Sequence, residues 1–412
     1  MSEKMLLLAK KIKKARMAIN YYDYNLIAVL VLIVGFGLIM LYSASSYVAI
    51  KSQLSDKYYF MKQAALSIVS LVGSLLVATM DYRLLLKSKW LPIGLYGMAC
   101  VLMMAVRLPG LGVSINGARR WLRLGITFQP SEVAKVAVIV FIPYLVVKHM
   151  KLLHTLKENL IVLAWGALPA LMAFKLTDNL STGIIIGGIT FGILFIASPK
   201  TKVYLLLIVG LAIVFIGGSF LLHLYKIPFE AFVEKTQNFR FSRVLVWLDP
   251  EAYSSSGGYQ TIQALYAIGS GGFFGKGLGN STQKLGFIPE TQNDMIFSII
   301  CEELGVFGAG MILILFAYLL YRLFIIAKNA PTLFGGLMVS GIFIHIALQV
   351  VLNVCVVLNV IPNTGITLPF ISYGGTSVVF LMSEMALALS VSKEGRIQRE
   401  RERRKREAEN FY

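Results

Sequence analysis

Long runs of apolar residues alternate with shorter polar stretches along this chain. A run of about twenty apolar residues crosses the hydrocarbon core of a bilayer as a helix. The pattern predicts ten such runs, at about 24–48, 60–80, 90–107, 131–148, 158–176, 180–198, 203–223, 294–321, 333–361 and 366–391. Most connections between them are short, so we expect an all-α integral membrane protein whose ten transmembrane helices form one bundle.

One connection is much longer than the others. It spans about 224–293, between the seventh and eighth predicted helices, and it is polar and rich in glycine. It ends where Asp294 opens the eighth helix. A carboxylate at a helix entrance in lipid is costly, which makes Asp294 a candidate functional residue. The alternative is a helix cap, in which Asn293 or Asp294 accepts backbone N–H groups.

Basic residues crowd both ends of the chain. The sequence holds 39 Lys and Arg against 21 Asp and Glu, and 57% of it is hydrophobic, which excludes an ordinary soluble domain. The positive-inside rule places the tails 1–23 and 393–412 in the cytoplasm, around a membrane domain at 24–392. The 224–293 loop is then extracytoplasmic. Acidic residues alternate with arginines in the C-terminal tail, which favours a solvated helix near anionic headgroups over a nucleic-acid-binding patch.

Four arginines in an external connection break that charge rule. They are Arg107, Arg119, Arg120 and Arg123. One interpretation is a phosphate site, because a guanidinium group can form bidentate hydrogen bonds to phosphate. The other is an amphipathic turn at the membrane interface, with Trp121 at headgroup level and the arginines reaching into water. Their spacing favours neither.

Further charged residues lie inside predicted helices. Glu132 and Lys135 stand three positions apart at the start of the fourth helix, so they share a face and can pair. Such a pair is either structural or catalytic. On the eighth helix, Glu302 lies about two turns beyond Asp294 and Glu303 points the opposite way. We therefore expect Glu302 to be a deeper polar neighbour of Asp294 in a cavity.

Two glycine-containing stretches interrupt the hydrophobic pattern. GSGGFFGKGLG (269–279) is not a nucleotide-binding P-loop, because Ser270 and Gly277 stand where that motif requires other residues. Its glycines let the backbone bend tightly and approach a ligand or the membrane. GITLPFISYGGTS (365–377) breaks the start of the tenth helix with Pro369 and Gly374. Broken helices at membrane depth are tolerated where they line cavities.

Polar residues also recur every four positions in the ninth predicted helix. His345, Gln349 and Asn353 predict a stripe of hydrogen bonds to neighbouring helices. The three cysteines all fall in predicted helices and indicate neither a disulfide framework nor a metal site. No serine triad or nucleophile elbow is present in the sequence.

Taken together, four motifs resemble those of the SEDS family (shape, elongation, division and sporulation). They are NGARRWLRLG…FQPSEVAK, GGYQTIQALYAIGSGGFFGKGLGNSTQKLGFIPETQNDMIF, EELG and PNTGITLPFISYGGTS, in the family's order and spacing. The resemblance covers about 24–392, and the last motif is more similar to the division and sporulation branch than to the elongation branch. It implies a ten-helix enzyme of cell wall biogenesis, which polymerises lipid II into peptidoglycan glycan strands at the outer face of the bacterial cytoplasmic membrane.

The resemblance also implies roles for particular residues. The essential aspartate of the family matches Asp294, within Pro289, Glu290 and Asp294, and its fourth-helix Glu and Lys match Glu132 and Lys135. Asp294 is then the base that deprotonates the acceptor 4-hydroxyl in a single inverting displacement of undecaprenyl pyrophosphate. Positive charge must compensate the leaving pyrophosphate. The candidate substrate-binding residues are Arg119, Arg120, Arg123, Arg240, Arg243, Lys276, Gln283, Glu290, Ser372, Gly374 and Gly375.

The implied partners are lipid II, a class B penicillin-binding protein, other division proteins and membrane lipids, with no nucleic acid. No cofactor is required by the sequence, and a divalent cation (Mg or Mn) that helps the pyrophosphate leave is left open. One departure from the family stands at Asp178 and Asn179, where the usual aspartate position holds asparagine. The alternatives from other classes are a lipid II flippase, whose transport would survive the loss of Asp294, and a non-catalytic scaffold.

Overall fold

A computed structural model of the protein describes residues 21–115, 118–124, 126–149, 155–236, 239–255 and 257–409. The basic N-terminal tail predicted at 1–23 lies almost entirely outside the described residues, as do positions 116–117 of the NGARRW motif. The described residues form fourteen helices and three short strands. In chain order they are α1 (Tyr24–Lys51), α2 (Tyr58–Thr79), α3 (Arg83–Lys87), α4 (Trp90–Ala105), β1 (Gly112–Ile115), β2 (Ala118–Leu124), β3 (Ile126–Phe128), α5 (Pro130–Lys148), α6 (Leu156–Leu176), α7 (Leu180–Ala197), α8 (Thr201–Leu224), α9 (Lys226–Thr236), α10 (Phe239–Leu248), α11 (Gly258–Gly271), α12 (Ile296–Lys328), α13 (Leu333–Val357) and α14 (Ser377–Glu409).

Eight of these helices are long and apolar enough to cross a membrane: α1, α2, α5, α6, α7, α8, α12 and α13. The protein is therefore a helical, multi-pass membrane protein, as its hydrophobic pattern predicts. Helix α4 is apolar but shorter. The predicted tenth helix begins only at Ser377, because residues 358–376 form turns and irregular backbone rather than helix. The count of ten spans and the sidedness of the loops stay predictions.

Helix α8 exposes an apolar surface along almost its whole length. Of its 24 residues, only Tyr204 is buried, where its ring packs on Phe191 and Phe195. Leu206 and Val214 leave about 70% of their surface exposed (71% and 70%). An apolar surface of this extent is unfavourable in water and favourable in hydrocarbon. Helix α8 therefore faces lipid along almost its whole length.

Helix α5 occupies the opposite environment, at the centre of the bundle. It packs against α4, α7 and α13, and nearly all of its side chains are buried. Helix α1 closes one side of the bundle, where it meets the irregular 358–376 segment. A Cβ at Gly37 would stand 2.8 Å from the Cα of Ile371, so a larger residue there would force this segment away. The irregular segment is therefore held between helices.

The arginine-rich connection forms a three-stranded antiparallel sheet in the order β1-β2-β3. Ser114 pairs with Arg119, and Leu122 pairs with Phe128. The connection is therefore a small sheet rather than a turn, and the fold is not purely helical; its position at the membrane interface stays a prediction. The pairing shifts register between Val113 and Ser114, so β2 carries one extra residue there, Arg120, as in a β-bulge.

The long segment 224–293 carries three helices of its own, α9, α10 and α11. After α11 the chain makes turns with positive φ at Gly272, Gly275, Gly277 and Gly279. These turns lie on α12 at a break in that helix, where Gly305 has φ 68° and ψ −170°. The backbone N–H groups of Lys276 and Gly277 donate to the carbonyls of Glu302 and Glu303, both at 2.9 Å. The glycine-rich stretch thus folds back onto the membrane helix.

Candidate active site

Asp294 lies in the turn that precedes α12 rather than on the helix itself. The N-cap of α12 is Met295, and no side chain caps that end. The helix-cap interpretation of Asp294 is therefore not supported. Its Oδ1 is buried and accepts no hydrogen bond from the described residues. Its Oδ2 lies next to Gly365, where a Cβ would be 3.7 Å away. The carboxylate thus keeps an unused acceptor beside the irregular segment.

Asn353 fixes the backbone of Asp294. This asparagine is completely buried in α13, and its Nδ2 donates to the carbonyl of Asp294 at 2.8 Å and to that of Ile366 at 2.7 Å. One turn earlier, Gln349 donates to the carbonyl of Thr367 at 3.1 Å. His345 bonds Glu384 of α14 at 2.8 Å. The predicted bond to a neighbouring helix is confirmed for His345, whereas Gln349 and Asn353 bond non-helical backbone and thereby join Asp294 to the irregular segment.

The surroundings of Asp294 change its acidity. Burial raises the pKa of Asp294 to about 6, and the negative charge of Glu290 adds to the rise. The positive charge of Arg243 opposes it. A carboxyl group with a pKa near 6 is ionised at neutral pH yet more basic than an ordinary aspartate. This combination suits a group that accepts a proton during a reaction.

Arginines from three parts of the chain converge on Asp178. Arg107 Nη2 lies 3.0 Å and Arg240 Nη2 lies 3.6 Å from Asp178 Oδ1, and Arg120 Nη2 donates to the Asp178 carbonyl at 3.0 Å. Burial lowers the pKa of Arg120, and the neighbouring charge of Arg243 lowers it further. Three arginines therefore contact Asp178, and Arg243 lies next to one of them, Arg120.

Arg243 connects this cluster to Asp294. It lies on α10 and donates from Nη1 to the Asn363 carbonyl at 3.2 Å, beside the irregular segment. Burial lowers the pKa of Arg243, and the carboxylate of Asp294 acts in the opposite direction. With Asp178 and Asp294 both ionised, the four arginines and two carboxylates keep an excess of positive charge. We call Arg107, Arg120, Arg240 and Arg243 the arginine cluster.

The other two predicted arginines lie elsewhere. Arg119 donates from Nη2 to the Leu108 carbonyl at 2.7 Å, and Arg123 is exposed. The structure therefore brings Arg120, Arg240 and Arg243 together from the predicted set and leaves Arg119 and Arg123 out. Arg107, which sequence reasoning did not include among the site residues, joins them.

The departure at positions 178 and 179 has a structural explanation. Asn179 is the N-cap of α7, with its Oδ1 accepting from Thr182 N at 3.1 Å. Asp178 adopts φ 46°, a left-handed conformation that Asp tolerates better than most residues. In that conformation its carboxylate faces the arginine cluster. The cap and the ion pairs are thus carried by adjacent residues.

Glu132 and Lys135 form the predicted pair inside the membrane domain. Their Oε1 and Nζ atoms are 2.9 Å apart, and only 7% of Glu132 and 2% of Lys135 are exposed. Among the described residues, neither side chain hydrogen-bonds to Asp294. The pair is close and buried, and whether it is catalytic stays a prediction.

Glu302 does not accompany Asp294, so that expectation is wrong. Its carboxylate is fully buried and forms an ion pair with Lys276 at 2.7 Å. It also accepts from Ser281, from Thr282 Oγ1 at 2.9 Å and from the backbone N of Gln283 at 3.3 Å. The reason is the fold-back of the glycine-rich stretch, which delivers these donors to the side of α12. Lys276 therefore holds the loop in place.

Glu303 is engaged in the same way on the other side of α12. Lys284 Nζ lies 2.7 Å from its Oε1, and Ser43 of α1 donates to it at 2.6 Å. Gln283, a predicted substrate ligand, keeps a buried Oε1 with no partner among the described residues. The loop that carries it is thus anchored to two buried carboxylates.

The remaining predicted ligands shape the backbone near Asp294. Glu290 has φ 57° and accepts a hydrogen bond from Asn293. Ser372 is buried, and its Oγ accepts from Leu368 N at 2.8 Å within the irregular segment. Gly375 has φ 50°, and Ser377 N donates to the Gly374 carbonyl at 3.0 Å. Their side chains and turns therefore stabilise the irregular segment, and contact with a substrate stays a prediction.

The described residues contain no group of three or more His, Cys, Asp or Glu side chains placed to hold a metal ion. What the arrangement offers instead is a basic carboxylate with a free oxygen, next to a concentration of guanidinium groups. Such a site is suited to removing a proton from a hydroxyl while a phosphorylated group is held in position.

Three comparisons agree with this architecture. The profile of the family FtsW/RodA/SpoVE, described as cell cycle protein, matches residues 23–397. The chain is 33% identical over 372 residues to a probable peptidoglycan glycosyltransferase FtsW from Trichlorobacter lovleyi, which covers 90% of this chain and 93% of that protein. It is 33% identical over 377 residues to the stage V sporulation protein E of Bacillus subtilis, covering 91% and 98%.

A solved structure has the same fold. It belongs to work described as structural coordination of polymerization and crosslinking by a peptidoglycan synthase complex. One chain of that complex superposes on this protein with a TM-score of 0.69 and 27% sequence identity, covering 91% of this chain and 98% of the other. The similarity therefore extends over most of the chain.

Proposed function

Because this chain belongs to the FtsW/RodA/SpoVE family of cell cycle proteins, we propose that it is a peptidoglycan glycosyltransferase of division or sporulation. Its substrate is lipid II, and its product is a β-1,4-linked glycan strand. In this proposal, Asp294 and the 224–293 segment lie at the outer face of the cytoplasmic membrane, where the strand is made, as the predicted topology implies.

One observation carries the proposal. Asp294 keeps a carboxylate oxygen without a partner among the described residues, and the arginine cluster begins beside it at Arg243. A reaction that joins a sugar hydroxyl to a sugar pyrophosphate needs these two elements, a base and a cationic site. Their proximity supports a transferase more directly than the hydrophobic helices do.

In the proposed step, Asp294 takes the proton of the acceptor 4-hydroxyl. The resulting oxygen nucleophile attacks the anomeric carbon of the donor, and the bond from that carbon to the pyrophosphate oxygen breaks. The electron pair leaves with undecaprenyl pyrophosphate, and the configuration at the anomeric carbon inverts. No covalent enzyme intermediate is needed, because one displacement accounts for the whole change.

The arginine cluster binds the pyrophosphate and stabilises the charge that develops as it leaves. Fixed cations next to a departing phosphate act most strongly where water is excluded. Arg120 and Arg243 are both partly buried, so their charges are little screened. The proposed step needs no cofactor, because these arginines supply the positive charge that a divalent ion would bring.

Glu132 and Lys135 belong to the proposal as a second charged element in the membrane domain. A buried ion pair of this kind is expensive to maintain unless it has a role. The polyprenyl chains of donor and acceptor lie in lipid against the apolar surface of the bundle. Gln283 is retained as a polar ligand because its Oε1 lacks a partner among the described residues.

The partner in this proposal is a class B penicillin-binding protein, which crosslinks the strands. The support comes from the structural relative, which was solved as part of a peptidoglycan synthase complex. Other division proteins complete the assembly. A lipid II flippase is not favoured, because several relatives of this chain are named as probable peptidoglycan glycosyltransferases.

The test is glycan formation from purified lipid II by the reconstituted protein, together with a penicillin-binding partner whose transpeptidase is blocked. Wild type is compared with Asp294→Asn and with Asp249→Asn, a control that removes a carboxylate paired with Lys226 at 2.5 Å in the same segment. We expect polymer from wild type and from the control, and none from Asp294→Asn. Absence of polymer from every protein, with lipid II crossing the vesicle membrane, would instead indicate a flippase.

A further inference from the structure

A second cationic site lies at the other end of the bundle from Asp294. It is a cavity of about 200 Å³ lined by Asp23, Arg322, Ile325, Ile326, Asn329, Ser392, Arg396 and Arg399. Arg322 stands 17 positions beyond the break at Gly305 along α12, roughly 25 Å at 1.5 Å per helical residue, and Asp294 lies on the other side of that break. The cavity therefore belongs to neither the arginine cluster nor the proposed reaction. On the positive-inside prediction it opens toward the cytoplasm.

Three helices meet at this cavity, and one carboxylate joins them. Asp23 is the N-cap of α1, with Oδ1 accepting from Leu26 N at 3.0 Å. Its Oδ2 accepts from Arg322 of α12 at 2.5 Å and from Arg396 of α14 at 3.3 Å. Asp23 is only 2% exposed. Both of its oxygens are thus fully engaged in holding the helix ends together.

The charges lining the cavity do not balance. Three arginines face one carboxylate, so the lining keeps about two unit charges in excess. Arg399 donates from Nε to the Gly395 carbonyl at 3.3 Å and has no carboxylate partner among the described residues. The Nε of Arg322 is buried and likewise has no acceptor there. The donors for an anion are therefore present and unused.

Neighbouring acidic groups do not cancel this excess. Glu394 lies 3.6 Å from Lys393, and Glu400 pairs with Arg404 at 2.5 Å and accepts from Tyr21. The end of α12 also points its carbonyls this way, which contributes about half a negative charge. Half a charge is smaller than the excess of two. The cavity thus remains a place where an anion is stabilised.

We propose that this cavity binds a phosphate-type anion, supplied by the headgroup of an anionic phospholipid. Basic pockets between membrane helices on the cytoplasmic side are suited to such headgroups. The cavity volume of about 200 Å³ is several times the volume of one water molecule in the liquid, about 30 Å³, so one phosphate with a small substituent fits. Tyr24, Tyr321 and Phe324 are more than half exposed near the same helix ends, where acyl chains and aromatic residues meet. A bound headgroup would link α1, α12 and α14 through their arginines.

The test compares lipid retention by the full-length protein, stripped of lipid in a neutral detergent. Phosphatidylglycerol, phosphatidylcholine and inorganic phosphate are added separately, and bound lipid is counted by native mass spectrometry while thermal unfolding is followed. Arg399→Gln removes a cation that does not hold Asp23. Arg403→Gln is the matched control, because it removes the same charge from the exposed part of α14, where Arg403 pairs with Glu407 at 3.1 Å.

We expect phosphatidylglycerol, and not phosphatidylcholine, to be retained and to raise the unfolding temperature. Arg399→Gln should weaken this binding about fivefold, and Arg403→Gln should leave it unchanged. The double variant Asp23→Asn with Arg322→Gln removes one ion pair and leaves Arg396 with its bond to the Tyr22 carbonyl at 2.8 Å but without the carboxylate. It should also weaken binding, because one of the cationic donors of the cavity is lost. Protection by inorganic phosphate with the same dependence on Arg399 would support the anion site and assign it to a soluble ligand. Equal retention by all variants, or equal loss in Arg399→Gln and Arg403→Gln, would overturn the proposal.

Discussion

The hydrogen bonds of Asn353 allow the placement of Asp294 to be tested without touching its carboxylate. Leucine has almost the same shape as asparagine but no donor. Asn353→Leu removes the bonds to the Asp294 carbonyl at 2.8 Å and to the Ile366 carbonyl at 2.7 Å. It removes no acceptor bond, because the Oδ1 of Asn353 has no partner among the described residues. The variant therefore isolates the two donations.

The expected loss of stability follows from those two bonds. Each removal leaves a carbonyl acceptor without its donor, which costs about 1–3 kcal/mol, so removal of both should cost about 2–6 kcal/mol. The expected loss of activity is larger. A catalytic group displaced by about 1 Å can lose roughly 100-fold in rate. We expect the maximal rate of polymerisation to fall by about that factor, with little change in the substrate concentration needed for half-maximal rate.

The matched control is Gln349→Leu, one turn earlier on α13. Gln349 donates to the Thr367 carbonyl at 3.1 Å and does not touch Asp294. It should lose about half as much stability and keep most of its activity. Thermal unfolding and initial rates of glycan formation measure the two effects. A rate in Asn353→Leu equal to that of Gln349→Leu would refute the view that Asn353 positions Asp294.

Three further predictions follow from the site and its supports. The polymerisation rate should rise with pH, with a midpoint near 6, as Asp294 loses its proton. Arg243→Gln removes a positive charge that lowers the pKa of Asp294, so it should move that midpoint to higher pH. An unchanged midpoint in Arg243→Gln would contradict this prediction. Gly305→Ala should lose at least about 2 kcal/mol in thermal unfolding, because its φ is 68° and a Cβ would stand 2.3 Å from a backbone oxygen, whereas Gly310→Ala on the same helix meets nothing within 4 Å and should be tolerated. Lys276→Gln should lower the free energy of unfolding by about 1–3 kcal/mol, because it leaves the buried carboxylate of Glu302 without its cation. The apparent affinity for lipid II should stay unchanged. Weaker lipid II binding with unchanged stability would instead make Lys276 a substrate ligand.

The sequence predicts those features that depend on local pattern. Hydrophobic runs of about twenty residues have few stable forms other than membrane helices, so most of the helices were accessible from the sequence. The stripe of His345, Gln349 and Asn353 follows from helical periodicity in the same way. Asp294 stood out because a carboxylate in that position is costly. Each of these inferences needs only neighbouring residues.

Features created by distant contacts could not be predicted. The sequence predicts that Glu302 shares a cavity with Asp294, because the two residues would lie near each other on an unbroken helix. The break at Gly305 and the fold-back of the glycine-rich stretch give it Lys276 instead. Strand β2 was not predicted, because apolar and polar residues do not alternate regularly in ARRWLRL and its arginines favoured other interpretations. The register shift that sets Arg120 apart from Arg119 has no local signal either.

The arginine cluster shows the same limit more sharply. Arg107, Arg120 and Arg240 come from separate parts of the chain, and Asp178 gathers them in a left-handed turn that no local signal announces. The arginines of the external loop suggested a phosphate site as one of two interpretations. Which of its arginines take part depends on the tertiary structure alone.

The central claim is that Asp294 performs the proton transfer while the arginine cluster holds the substrate. The most direct test measures lipid II binding and glycan synthesis in the same preparation of Asp294→Asn. The account predicts binding with wild-type affinity and no detectable glycan, because the arginines remain and the base is gone. Glycan synthesis at the wild-type rate by the folded Asp294→Asn protein would contradict it.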